Sequence, residues 1–135
     1  MSLQFSTTLR NALLDQIETT MGTAAKVYVR TGSAPANCGS ADSGTLLVEF
    51  DLGSDYMGNA SAGAKSFSST PISATAVATG TAAHFRIKDS GGTTCHIQGT
   101  VTATGGGGDI EIDNTSITNG QTVQITSWSI TAPGA

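Results

Sequence analysis

The residue types able to do chemistry are concentrated in one stretch, HFRIKDSGGTTCHIQ, which runs from His84 to Gln98 and holds both histidines and one of the two cysteines of the chain. Imidazole and thiolate together are what a transition-metal site, or a nucleophile with its base, requires. Strand alternation decides whether these groups can meet. Residues i and i+2 of a strand share a face, so Phe85 and Ile87 fall with Cys95 and Ile97 on the core face of a hairpin. Opposing Phe85 to Ile97 and Ile87 to Cys95 leaves Ser90, Gly91 and Gly92 as the loop, with Gly92 at the position that needs positive φ. His84 and His96 then lie on the outer face with Arg86, Lys88 and Gln98, His96 opposite Arg86 and His84 diagonal to His96. Cys95 points away from His96, and no Asp or Glu on the outer face completes a two-histidine site. No metal and no catalytic residue is expected here. The histidines and Arg86 are expected to make a surface or subunit contact.

Other candidate motifs fail on spacing. GNASAGAKS, Gly58 to Ser66, superficially matches the phosphate-binding loop GxxxxGK[ST], but Ala64 stands between the second glycine and Lys65, and Pro71 follows where a helix should grow. GGGGDIEIDN sets Asp109, Glu111 and Asp113 on one strand face around Ile110 and Ile112. Calcium wants carboxylates converging from a loop, and the EF-hand spacing is absent; a solvated acidic stripe that discourages edge pairing is the expectation. There is no GxSxG, so no nucleophile elbow. The chain reads as a non-enzyme with no cofactor.

Stepping from these residues to the elements that carry them, STTLRNALLDQIETTMG is the one convincing helix, about residues 7–21. Leu9, Leu13, Ile17 and Met21 recur every four residues with Leu14 beside them, Ser6 or Thr7 can cap the start and Gly22 can end it. That stripe is expected to pack on a sheet, or to dock on a neighbouring subunit. KVYVRTG reads as a strand, SAPANCGSADSG as a loop long enough to project, and TLLVEFDL as a strand with Leu46, Val48, Phe50 and Leu52 on one face. A second loop around Tyr56 and Met57 follows. ISATAVATGTAAHFRIKD is expected to make two strands joined at Gly80, and the last strand, QTVQITSWSITA, changes phase between Ile125 and Trp128, which asks for a bulge near Ser127 or cover on both faces. Short strands with regular turn signals predict a mainly β fold: one domain over 1–135, an antiparallel β-sandwich or jelly roll with one N-terminal amphipathic helix.

Composition narrows the partners. Charged residues are 12% of the chain, Ser and Thr number 36, and the net charge is −4. The scattered cations make no stripe for nucleic acid. No apolar run approaches the roughly 18 residues of a membrane span, and no basic region, apolar stretch and cleavage site open the chain; it is expected to be made in the cytosol. Cys38 and Cys95 belong to no CxxC pattern, so zinc is not expected. Reducing cytosol usually keeps such thiols free, which makes a disulfide the less favoured of two open readings.

The segments LRNALLDQIETTMG, VYVRTGSAPANC, GTLLVEFDL, GTAAHFRIKDSGGTTCHIQGTV and NTSITNGQTVQITSWSIT, in that order, resemble a family of small structural proteins of tailed bacteriophages and prophages. The shared features are scaffold features: the opening helix, the TGSAP loop, the SGGT hairpin and the NGQTV turn. The resemblance implies a β-rich virion protein made in the host bacterial cytoplasm, foremost a capsid decoration (cement) protein that binds the outer capsid. Its partners would be the major capsid protein and copies of itself, often in trimers. It supplies no catalytic residue. Pro35, Tyr56, Met57, His84, Arg86, His96, Trp128 and Ile130 are the expected partner-interface residues. A tail or head-to-tail component (connector, fibre or baseplate) is the alternative within virions. A carbohydrate-binding β-sandwich module is the alternative from another class, weakened by an aromatic content of only 5%.

Overall fold

Helix α1 covers Thr7–Met21, starting where the Ser6 hydroxyl accepts a hydrogen bond from the Leu9 amide at 3.1 Å and ending at Gly22, whose positive φ lets its amide close on Glu18 O. In the computed structural model, which describes residues 3–68 and 70–134, ten strands follow. They are β1 (Lys26–Arg30), β2 (Leu46–Asp51), β3 (Ala64–Ser66), β4 (Ile72–Thr75), β5 (Gly80–Thr81), β6 (His84–Lys88), β7 (Cys95–Ala103), β8 (Ile110–Ile112), β9 (Ser116–Ile117) and β10 (Thr122–Thr131). The chain is thus mainly β with one helix near the N-terminus.

Eight strands join in the order β2-β1-β6-β7-β8-β10-β3, with β4 also on β10, and β5 pairs with β9 apart from them. The sheet curls until β4 lies beside β2, where the Val77 amide donates to Leu47 O at 2.8 Å. This curl encloses one core of Val27, Val29, Phe50, Phe85, Ile87, Ile110, Ile112, Val123 and Ile125, all essentially inaccessible. The arrangement is compatible with a sandwich, but one pair departs from the expected antiparallel pattern. β7 and β8 run parallel, Val101 facing Ile110 and Ala103 facing Ile112.

Parallel neighbours ordinarily need a crossover of a dozen residues or more; here only Thr104 to Asp109 intervene. The glycine run makes this possible in two ways. Gly105 and Gly107 take φ near +87° and +82°, whereas a Cβ on Gly106 or Gly108 would come within 2.7 or 2.8 Å of Thr102. The acidic residues beside them are not a stripe guarding an edge, because β8 lies inside the sheet. Asp109 accepts from the Thr100 amide and hydroxyl, Glu111 from the Gly107 amide, and Asp113 from the Gln124 amide. Each carboxylate holds a turn or a strand end.

The phase change in β10 is a bulge, with the register shifting between Ile125 and Ser127 so that Val123, Ile125 and Trp128 are all buried. A bulge in β2 likewise buries Leu47 together with Val48 and Phe50, in place of the simple alternation of Leu46, Val48, Phe50 and Leu52. The segment expected to make two strands joined at Gly80 makes three: Gly80 begins the short β5 between β4 and β6, and β4 pairs with β10 while β5 pairs with β9.

The helix docks by only part of the expected stripe: Leu14, Met21 and, in part, Ile17 pack inward, while the first two leucines turn away. Leu9 and Leu13 are 46% and 47% exposed, while Arg10, Leu14 and Met21 are buried. On the docked side Asn11, Asp15 and Glu18, spaced by four and three, accept the backbone amides of Gly63, Ala60 and Met57 at 2.8–3.0 Å. Arg10 donates to Ala132 O, and Lys65 donates to Asp15 and to Gly58 O, both at 2.8 Å. The segment from Met57 to Gly63 is largely outside the sheet ladder, and buried amides need acceptors. The polar helix face provides them, which turns the leucine stripe outward. Lys65, the residue of the false phosphate loop, is therefore a tie between β3 and α1.

Candidate functional site

The hairpin of β6 and β7 carries the residues singled out above, in a register two residues away from the expected one. Phe85 faces Gly99, Arg86 faces Gln98 and Ile87 faces Ile97, after which a bulge sets Lys88 against Cys95. The longer loop closes on Asp89, whose carboxylate accepts the Thr93 amide, with Gly92 at φ +70° as expected. Gly92 is doubly required, because a Cβ there would stand 2.5 Å from the Tyr28 hydroxyl. The bulge moves Cys95 from the core face to the Lys88 side, and His96 to the opposite side, near Ile97. His84 faces Thr100 rather than lying diagonal to His96. The two histidines do not share a site.

All five residues of β6 are buried. Phe85 and Ile87 face the core; His84, Arg86 and Lys88 lie on the outer face, as alternation requires, but the chain's own loop covers them. The segment from Thr31 to Thr45 does not project. It folds down as a strap across β1, β6 and β7. Arg86 Nη1 donates to Asp42 Oδ1 at 2.5 Å and to Ser40 O at 3.0 Å, and Nη2 donates to Cys38 O at 2.9 Å. Lys88 Nζ and Arg30 Nη2 both reach Asp42 Oδ2, at 2.7 and 3.2 Å. Gln98 donates to Pro35 O, and His84 Nδ1 lies 2.8 Å from Gly32 O. Burial works against the charged form of Asp42, but hydrogen bonds from Lys88 and Arg86 and the field of Arg30 outweigh it and hold the carboxyl below its usual range. Asp42, the single acidic residue in this loop, anchors the strap against three cations.

At the same place the Sγ atoms of Cys38, on the strap, and Cys95, on β7, stand 2.9 Å apart with both thiols free. They line a surface cavity of about 430 Å³ with Ser40, Asp42, Arg86 and Lys88. Burial, and then the neighbouring Cys38, pushes the Cys95 thiol up to about 11. Among the described residues no three His, Cys, Asp or Glu side chains converge as a metal site would require.

A second surface feature lies across the molecule's helix side. Leu13, Ile17 and Met21 of α1 form a groove of about 360 Å³ with His96 and Ile97 of β7 and Ile130 of β10. No family model, curated protein or solved structure matches this chain.

The expected interface residues divide accordingly. His96 and Ile130 are half-buried and line the helix-side groove, and Pro35 is half-buried on the strap. Tyr56, Met57, His84, Arg86 and Trp128 are at most 4% exposed, which corrects the expectation that they face a partner. Tyr56 donates to Gly22 O, Met57 gives its amide to Glu18, and Trp128 stacks at 4.8 Å on Phe67. These side chains are used inside the chain. Sequence reasoning missed Asp42, and it left a bond between Cys38 and Cys95 as the less favoured of two readings without bringing the two thiols together. A lone carboxylate in a loop following a strand of cationic outer-face residues was the available signal for the first.

Proposed function

We propose that this chain is a non-enzymatic structural protein of a bacteriophage virion, foremost a capsid decoration protein that binds the outer capsid and stabilises it, in contact with the major capsid protein and copies of itself. The observation that carries the reading is the outward leucine stripe. Leu9 and Leu13 are about half exposed beside the groove that Ile17, Ile97 and Ile130 line, on a helix whose polar face is already committed to its own chain. Contiguous exposed apolar surface is characteristic of sites of protein contact. Of the ionisable residues that suggested chemistry, His84, Arg86 and Lys88 are occupied in holding the strap, and His96 lines the groove. The scaffold segments that resemble phage structural proteins supply the virion context, and many such contacts repeated over a shell would add by avidity.

A tail or head-to-tail role would use the same surface at a different copy number. A sugar-binding role is disfavoured by the placement of the aromatics, since Phe50, Tyr56, Phe67, Phe85 and Trp128 are buried and leave few platforms for stacking on a sugar ring. The test is quantitative gel analysis of purified particles together with their location by electron microscopy. Decoration predicts hundreds of copies that scale with the major capsid protein; a copy number fit for a single ring moves the chain to the tail or connector, and absence from particles overturns the virion reading.

A further inference from the structure

We propose that Cys38 and Cys95 are an oxidisable pair whose disulfide staples the strap of residues 31–45 onto β7. Three observations meet at this point. The two sulfurs are 2.9 Å apart although 57 positions separate the residues in sequence. A disulfide needs about 2.05 Å, so closure asks for under about 1 Å of sulfur movement. The backbone on both sides is already held in place, because Cys38 O accepts from Arg86 and Cys95 lies at the bulge facing Lys88. The pair is also reachable: both cysteines line the cavity of about 430 Å³, whose wall includes Arg86 and Lys88. Around it three cations, Arg30, Arg86 and Lys88, face the single carboxylate of Asp42. That excess of positive charge favours an anionic low-molecular-weight disulfide such as oxidised glutathione.

The exchange balances as follows. The Cys38 thiolate attacks one sulfur of oxidised glutathione, forming a mixed disulfide and releasing one glutathione thiolate. Cys95, held protonated at neutral pH by its raised pKa, gives up its proton and attacks the Cys38 sulfur. The Cys38–Cys95 bond forms, the Cys38–glutathione bond breaks and the second glutathione leaves as thiolate. The two released thiolates take up, through solvent, the two protons that Cys38 and Cys95 gave up, so two protein thiols are oxidised and one glutathione disulfide is reduced to two thiols. The consequence is structural. A bond closing so long a segment restricts the unfolded chain and ties down a strap otherwise held by hydrogen bonds and ion pairs, and a rise in Tm of about 10 °C is expected. The approach of the two sulfurs is independent of the virion reading, and the redox potential around the protein sets which form is present.

The experiment uses the full chain, purified with reductant and then transferred to a buffer of oxidised and reduced glutathione. Intact mass should fall by two hydrogen atoms, non-reducing peptide mapping should join the peptides holding Cys38 and Cys95 within one chain, and Tm should rise and return on adding reductant. Amide exchange should slow across residues 31–45. Cys95→Ser should take up a glutathione on Cys38, Cys38→Ser should take it up far more slowly on the half-buried Cys95 thiol, and neither should show the mass loss or the rise in Tm. Two cysteines that still alkylate in the folded protein after this treatment, a bond formed between chains, or closure that leaves both Tm and strap exchange unchanged would each overturn the proposal.

Discussion

Asp42 Oδ1 and Arg86 Nη1 lie 2.5 Å apart, joining the C-terminal part of the strap to β6, with the Arg86 side chain 2% exposed and that of Asp42 27% exposed. The strand supplies a buried guanidinium, and the strap supplies its counter-charge and its carbonyl acceptors. Neither half is stable in that position alone, since a buried charge without partners is costly. The strap is therefore part of the folded unit.

Asp42→Asn should be destabilising. It leaves Arg86 and Lys88 without their carboxylate, and breaking a fully buried pair costs about 3–5 kcal/mol. Because Asp42 still meets solvent, the expected loss is smaller, about 2 kcal/mol. Denaturant unfolding measures it, and amide exchange in the strap should accelerate in the same variant. A loss no larger than that of a surface substitution would remove Asp42 from its anchoring role.

Acidification should release the same interaction. The folded-state pKa of Asp42 is depressed, so its contribution is fully present above the unfolded value of about 4 and is lost as pH falls through the folded value. Asp15, lowered by the Lys65 hydrogen bond and the Ala60 amide, and Asp89, lowered chiefly by the Thr93 amide, titrate with the same sign. Stability followed by thermal melts from pH 6 to pH 2 should fall below about pH 4. Asp42→Asn should show a shallower fall across that window.

The glycine crossing between β7 and β8 predicts a graded response. Gly107→Ala meets no atom within 4 Å and strains only a positive φ, at a cost of about 1 kcal/mol. Gly108→Ala would set its Cβ 2.8 Å from the Thr102 amide nitrogen, so backbone must move, and a cost of about 2–3 kcal/mol is expected. Equal costs in equilibrium unfolding would contradict the close approach of Gly108 to β7.

Adjacent leucines on α1 should behave oppositely. Leu14 is 3% exposed and Leu13 is 47% exposed. Leu14→Ala should cost about 3 kcal/mol through transfer and cavity effects. Leu13→Gln should stay within about 0.5 kcal/mol of the parent yet weaken binding to particles if the groove is the contact surface. Stability assays alone separate the two positions, and co-sedimentation with capsids stripped of the protein reads the binding.

Local order was legible in the chain. The helix bounds with Ser6 and Gly22 as caps, the strand at Lys26–Arg30, the positive φ of Gly92 and the bulge before Ser127 follow from capping chemistry, period-two alternation and turn stereochemistry, which act over a few residues. Alternation also separated His84 and Arg86 from Phe85 and Ile87. It could not say what would cover each face.

Cover is a long-range matter, and there the tertiary structure decided. The leucine stripe of α1 points outward because Asn11, Asp15 and Glu18 meet backbone amides from Met57 to Gly63 that the sheet leaves unpaired. His84 and Arg86 are interior because a loop 44 residues away from Arg86 carries Asp42 back over them. One bulge in the hairpin then turns Cys95 from the core toward Cys38. By itself the sequence determined which residues alternate, cap and turn, since those preferences are set by neighbours along the backbone; pairing register, the parallel β7–β8 crossing and the meeting of the two thiols arose only when distant polar groups had to satisfy one another in the folded chain.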